Sequence, residues 1–235
     1  MNKPRSSTLF HFTKSIDSLK GILPKYSLED MSWIFGLDQH IAHTMICFCD
    51  IPLARISEHT QFYGKYGIGM TRDWGEKNNL QPLVYYTSTG TLKASLNYFF
   101  LRKFLKDKDP KIGEYNENFW QIMALAKPVR STMIVSGSPV EKEFYQESEW
   151  RYISNEIDII VEKDYELKKE KANKEVEKYA LKINPADIKY LFVENESDIP
   201  PLVDFILNDL GELPYNDLKI LLSRIISTTS ISSDI

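Results

Sequence analysis

His11 and Thr13, two residues apart in Leu9-Phe10-His11-Phe12-Thr13, are the first residues of the chain whose types could do chemistry. In a strand, alternate side chains share a face, so His11 and Thr13 point one way while Phe10 and Phe12 point the other. That polar face is either part of a site or the wet side of an edge strand. A second pair, Glu147 and Glu149, would share one face of a strand, opposite Ser148 and Trp150. Paired acids can divide labour, one orienting a substrate while the other stays ionised to stabilise positive charge in a transition state. The plainer alternative is a charged rim beside Arg151. Spacing argues against other chemistries. The four histidines, His11, His40, His43 and His59, make no H-E-x-x-H or related zinc signature. Neither a G-x-S-x-G elbow, a dinucleotide fingerprint nor a phosphate loop occurs. Cys47 and Cys49 would share a strand face, which suits two reduced, buried hydrophobes better than a disulfide or a metal site.

The elements that must position these residues follow from pattern. Behind Thr13, Ser15 is an N-cap candidate, and Ile16, Leu19, Ile22 and Leu23 fall on one helical face before Pro24. Residues 26–39 are weakly periodic and read as a covering loop. The apolar run 44–49 reads as a buried strand that leaves its sheet at Pro52, with a helix or turn over 56–62. Tyr66-Gly67-Ile68-Gly69-Met70 is a short strand whose glycines invite close approach by another backbone or by a ligand. Further along, the pattern predicts a short helix over 74–78, a strand over 82–86, and a helix over 91–105 with Leu92, Leu96 and Phe99 inward. A helix over 119–126 ends at Lys127-Pro128, and strands are expected at 133–135, 149–153 and 157–161. The stretch 162–178 mixes both charge signs, as a solvated hairpin or helix does. Strands at 181–185 and 188–193 precede helices over 201–210 and 215–226 and a Ser/Thr tail expected to fray.

With 235 residues, a formal charge of −4 and a sequence pI of about 5.7, the chain has no global basic field for nucleic acid or an anionic membrane. Arg102, Lys103 and Lys106 could form a local basic patch or simply a solvated helix end. The amino terminus has no apolar run of the signal-peptide kind and no stretch is long enough to span a bilayer, so a cytoplasmic protein is expected. Without a repeat or a linker, one mixed α+β domain over 1–235 is the economical expectation, with C-terminal helices at about 199–227.

Leu9-Phe10-His11-Phe12-Thr13, Cys47-Phe48-Cys49-Asp50-Ile51-Pro52-Leu53, Tyr63-Gly64-Lys65-Tyr66-Gly67-Ile68-Gly69 and Phe144-Tyr145 through Glu149-Trp150-Arg151 together resemble the AbiGi-type proteins of bacterial abortive phage infection, up to about Val193. More distantly, a His-x-Thr strand with a helix behind it, a middle aromatic strand and a late strand bearing glutamate resemble the ADP-ribosyltransferases, including DarT-like toxins that modify nucleic acid. This second resemblance implies a split, mostly antiparallel sheet with flanking helices that grips NAD as a substrate. It implies that His11 hydrogen-bonds a ribose hydroxyl, that Thr13 lines the same wall, and that Tyr66 and Tyr63 stack on nicotinamide. Glu149 would stabilise the oxocarbenium-like state or deprotonate the incoming nucleophile, with Glu147 as its rival. The function so implied is an intracellular NAD-dependent ADP-ribosyltransferase toxin in anti-phage defence, acting on a nucleic acid or protein acceptor and restrained by an antitoxin partner. An NAD hydrolase would share the site and release free ADP-ribose. The alternative from another class is a non-catalytic antitoxin or regulator that engages a toxin.

Overall fold

The computed structural model describes residues 6–22, 28–30, 41–96, 98, 121–135, 137–153, 160–161, 171 and 181–234. In chain order the elements are β1 (Thr8–Thr13), α1 (Ile16–Ile22), β2 (Leu28–Asp30), β3 (Ile41–Cys49), α2 (Ile56–Tyr63), β4 (Tyr66–Thr71), α3 (Arg72–Lys77), β5 (Gln81–Pro82) and β6 (Val84–Tyr86). They continue with β7 (Ala126–Pro128), β8 (Arg130–Val135), β9 (Ser138–Glu143), β10 (Glu149–Ile153), β11 (Ile160–Val161), β12 (Ile188–Val193), α4 (Ile199–Asp209), α5 (Tyr215–Leu222), β13 (Ile225–Ser227) and α6 (Thr228–Asp234). The fold is mixed α+β with mostly antiparallel pairing. Two units are distinguished: Met1–Tyr26, Cys47–Leu80 and Ala180–Ile235 form the first, and Ser27–Ile46 with Gln81–Tyr179 the second.

In the first unit the strands run in the order β13, β12, β4, β1 and the end of β3. All neighbours are antiparallel except β12 and β13, which are parallel. The two glycines of β4 explain the packing of this sheet. Phe12 pairs with Gly67 and Phe10 with Gly69 on one side, while Phe192 and Tyr190 of β12 pair with the same two glycines on the other. Rings from both flanking strands therefore close over a strip that carries no side chains. Phe12 and Phe192 approach to 5.3 Å between ring centres, Phe10 and Phe192 to 5.8 Å, and Phe10 and Tyr190 to 6.0 Å. Cys49, Ile51, Ile56 and Ile231 complete this aromatic core. The expected close approach at the glycines is thus made by neighbouring strands.

The opposite face of the same sheet carries Leu9, Ile68, Met70 and Leu191, all buried. α1 lies behind β1 as expected; Ser15 Oγ accepts a hydrogen bond from the Ser18 N–H at 3.1 Å, and Leu19 is buried. α3 is capped by Thr71, whose Oγ1 accepts from the Trp74 N–H at 3.2 Å. Asp50, which leaves β3, is wholly buried and paired with Arg72 at 2.6 Å; the same guanidinium donates to the Ser6 carbonyl at 2.5 Å.

In the second unit, residues 41–46 of β3 pair antiparallel with β2 and β11. β5 pairs antiparallel with β10, β6 pairs parallel with β7, and β8 and β9 form a hairpin that turns through Gly137 at φ 83°.

Several expectations are corrected. The strand expected over 82–86 is two strands with different partners, because Leu83 between them donates its N–H to the Glu149 carbonyl. Ala126-Lys127-Pro128 is not a helix end but strand β7, and the described helical residues before it are 121–124. Leu92 is exposed, although Leu96 is buried as expected. Residues 181–184 form no strand. The helix expected to reach 226 stops at Leu222, and Ile225–Ser227 instead joins the sheet beside β12. The Ser/Thr tail is helical and docked, with Thr228 and Ile231 buried. Phe99, the patch at Arg102, Lys103 and Lys106, and most of 162–178 lie outside the described residues.

A Cβ at Gly67 would lie 2.6 Å from the Phe12 ring and 2.7 Å from the His11 carbonyl oxygen, whereas at Gly69 its nearest neighbours are side chains at 3.0–3.1 Å. Gly67→Ala should therefore lower stability by about 1–3 kcal/mol, the usual cost of overpacking. Gly69→Ala should cost less. Urea denaturation of the two variants beside the parent checks the order.

Candidate functional site

The second unit contains a concentration of buried charge built on β7, β9, β10 and the turn before β10. Lys127 Nζ donates to Glu147 Oε2 at 2.9 Å and to Glu149 Oε2. The other Glu149 oxygen accepts from Arg151 Nε at 2.5 Å, and Arg151 Nη1 donates to the Ala124 carbonyl at 2.7 Å. Lys142 Nζ pairs with Glu147 Oε1 at 2.5 Å. Three cations thus face two carboxylates, and all five side chains are at least nine-tenths buried. The Phe144 ring lies 4.2 Å below the Lys127 ammonium, and the Tyr85 hydroxyl accepts the Glu149 N–H at 2.8 Å.

Local sequence explains how two acids reach one cation. Glu147 ends a short 3-10 turn over Phe144–Glu147, Ser148 is left-handed at φ 43°, and Glu149 opens β10. The two carboxylates meet through this turn and not through strand alternation, a correction to the sequence expectation. A left-handed serine costs about 1–2 kcal/mol, which the ion pairs must offset. Burial works against the charge of Lys127, but the carboxylates of Glu149 and Glu147 outweigh it, so its pKa lies above the ordinary value. The two carboxylates hold the ammonium in its charged form. Burial likewise pushes the Tyr85 and Tyr86 hydroxyls above their ordinary range.

The other residues singled out from sequence lie in the first unit. The β1–β4 register pairs Thr13 with Tyr66 and His11 with Ile68, so His11, Thr13 and Tyr66 stand on one sheet face. His11 Nδ1 meets the Cys47 carbonyl at 2.7 Å. A carbonyl only accepts, so Nδ1 carries a proton and donates to it. Thr13 Oγ1 donates to the Ser15 carbonyl at 3.1 Å. The Tyr66 hydroxyl donates to Asp198 at 3.1 Å, and burial together with this carboxylate raises its pKa to about 12. Tyr63 goes elsewhere: its ring lies 4.5 Å from that of His59, tilted by 32°, and packs against the aromatic core on the opposite face. Glu149 belongs to the second unit.

Lys127 and Lys142 escaped the sequence reading. Lys127 precedes a proline and looked like a helix terminus, and Lys142 sits between two glutamates as a solvated lysine would. Their only signal was the nearby pair of acids, which had to be neutralised if buried. Among the described residues no group of histidine, cysteine and acidic side chains could hold a metal ion, and no helix is long and apolar enough to cross a membrane.

An α+β protein with a glycine-strip sheet and a buried ion cluster is the class that fold and site define. A family described as "Putative abortive phage resistance protein AbiGi, antitoxin" matches residues 20–194. The chain belongs to the AbiGi family. It is 25% identical over 218 residues to the abortive phage resistance protein AbiGi of Lactococcus lactis subsp. cremoris, covering 81% of this chain and 88% of that relative. No solved structure matches the chain.

Replacing Lys127 with methionine leaves two buried carboxylates side by side and should cost about 3–5 kcal/mol of stability in urea denaturation. Alkaline pH supplies a second check. Lys127 holds its proton in the folded state beyond its ordinary 10.5, and Tyr66 and Tyr85 hold theirs beyond 10.0. The folded state then binds more protons than the unfolded one, so stability from these groups is complete below about pH 10 and falls above it. Tyr66→Phe should make that fall shallower in a pH series of urea midpoints.

Proposed function

We propose that this chain acts by binding, as the antitoxin-type member of an abortive-infection pair that engages and neutralises a toxin protein. The family description supports the class. The observation that carries the reading is the condition of Glu149: one carboxylate oxygen is paired with Arg151, the other with Lys127, and the side chain is 6% exposed. A carboxylate that stabilises an oxocarbenium-like charge must turn an oxygen toward substrate. Both oxygens of Glu149 are turned toward cations of its own fold.

A second reading, an NAD-dependent ADP-ribosyltransferase or NAD hydrolase, draws support from the shared face of His11, Thr13 and Tyr66 and the fixed orientation of the His11 ring. In it NAD is the substrate, His11 holds a ribose hydroxyl, Tyr66 meets nicotinamide and Glu149 is the catalytic acid. Tyr63, which this reading also places at nicotinamide, packs against the aromatic core.

Growth of bacteria producing this chain, the protein encoded beside its gene, or both separates the readings. Under the binding reading the neighbour alone arrests growth, joint production restores it, the two proteins co-purify, and cellular NAD is unchanged. Growth arrest by this chain alone, with NAD consumed or ADP-ribose transferred to nucleic acid or protein, and both lost in a folded His11→Ala variant, would establish the transferase instead.

A further inference from the structure

Charge is unevenly spread along this chain. Residues 194–235 hold eight Asp and Glu against two Lys and Arg, whereas the first 193 residues hold 25 against 27. α4 and α5 lie within the acidic segment and pack against each other, anchored by the buried Leu202, Ile206, Leu218 and Leu221. The corner that joins them faces solvent. Leu207 is 45% exposed and Tyr215 71% exposed, and the acids between them, Asp209 and Glu212, are exposed as well.

This corner is stiff. The Leu210 N–H donates to the Ile206 carbonyl at 3.2 Å and the Leu213 N–H to the Leu210 carbonyl at 3.0 Å. Pro214 opens α5, and its carbonyl accepts from Asp217 and Leu218 at 2.8 and 3.1 Å. Gly211 lets the chain fold tightly, because a Cβ there would lie 2.5 Å from the Leu207 carbonyl oxygen. Lys219 Nζ stands 4.3 Å from the centre of the Tyr215 ring and holds it by a cation–π contact. A tyrosine and a leucine held out of the core on a rigid turn have already met the ordering cost that binding otherwise incurs.

We propose that the acidic corner Leu207–Tyr215 is the surface that docks the toxin, and that it fits a basic protein surface with an apolar pocket for Tyr215 and Leu207. The proposal rests on the binding reading above and names the partner's chemistry. Charge supplies the argument for a basic partner: an acidic segment is steered toward a basic surface and repelled by an acidic one. The exposed Leu207 and Tyr215 supply apolar contact area on the same corner as Asp209 and Glu212. The corner lies past residue 194, where the family match ends, so the proposal concerns this chain and not the family.

The test uses the full chain and the purified protein encoded beside its gene, with affinity measured by calorimetry at several salt concentrations. Tyr215→Ala, and Asp209→Lys combined with Glu212→Lys, should each weaken binding by about tenfold or more. The double charge reversal should also flatten the salt dependence, while thermal melting stays that of the parent because the altered residues are exposed. Amide hydrogen exchange gives a readout without substitution: residues 207–215 should slow on complex formation. Affinities within about twofold of the parent in both variants, or protection confined to other segments, would overturn the docking site while leaving the binding reading intact. Absence of any complex with the parent chain would overturn the binding reading and the docking site with it.

Discussion

The aromatic side chains of β1 and β12 need somewhere to go, and β4 supplies it by having nothing there. Gly67 and Gly69 are each flanked by one aromatic residue from either neighbour, so four rings share the space above one strand. This arrangement sets the register of three strands at once, because a slip by one residue would put Ile68 or Met70 under the rings and turn the glycines to the other face. Everything else in the first unit follows from that register. It places Ile56 and Ile231 over the rings, gives α1 and α3 the Leu9, Ile68 and Met70 face, and sets His11 and Thr13 beside Ile68 and Tyr66.

The second unit is organised by the opposite kind of interaction. Its buried charges contribute little net stability when satisfied, since apolar side chains of the same volume would often do as well, yet each one makes the others obligatory. Lys127 joins β7 to the turn before β10, Arg151 joins β10 to the end of the helical residues 121–124, and Lys142 brings β9 to the same glutamate. Segments that pair weakly or not at all through backbone are thereby tied together. The same pairs occupy the carboxylate that an enzyme of the transferase type would use, which is why the ion cluster bears on function as well as on fold.

Much of this was legible from the amino acids alone. The strand at His11, the helix capped by Ser15, the buried run ending before Asp50 and the glycine strand all have strong local patterns, and the structure agrees with each. The failures cluster where partners distant in sequence decide the outcome. Ile225–Ser227 continues the apolar periodicity of a helix but finds an open edge on β12, and Ala126-Lys127-Pro128 pairs with β6. Local propensity cannot see an edge or a counter-ion. The site was legible in part for the same reason: alternation along β1 correctly put His11 and Thr13 on one face, and the β4 register added Tyr66. Tyr63, by contrast, sits at the end of α2, where strand alternation has no hold. The convergence of Glu147 and Glu149 was foreseen, but by the wrong geometry, since nothing short of the structure reveals a left-handed serine between them.

The aromatic core of the first unit draws on Phe10 and Phe12 near the start of the chain and on Phe192 and Ile231 near its end. A core built this way has high contact order and cannot close until the segment carrying Ile231 is available to it. Until residue 231 has left the exit tunnel, the glycine strip is uncovered and the phenylalanines of β1 are exposed to chaperones and proteases. Any product that stops short, by premature termination or by nicking near the carboxyl terminus, lacks the residue that seals the core.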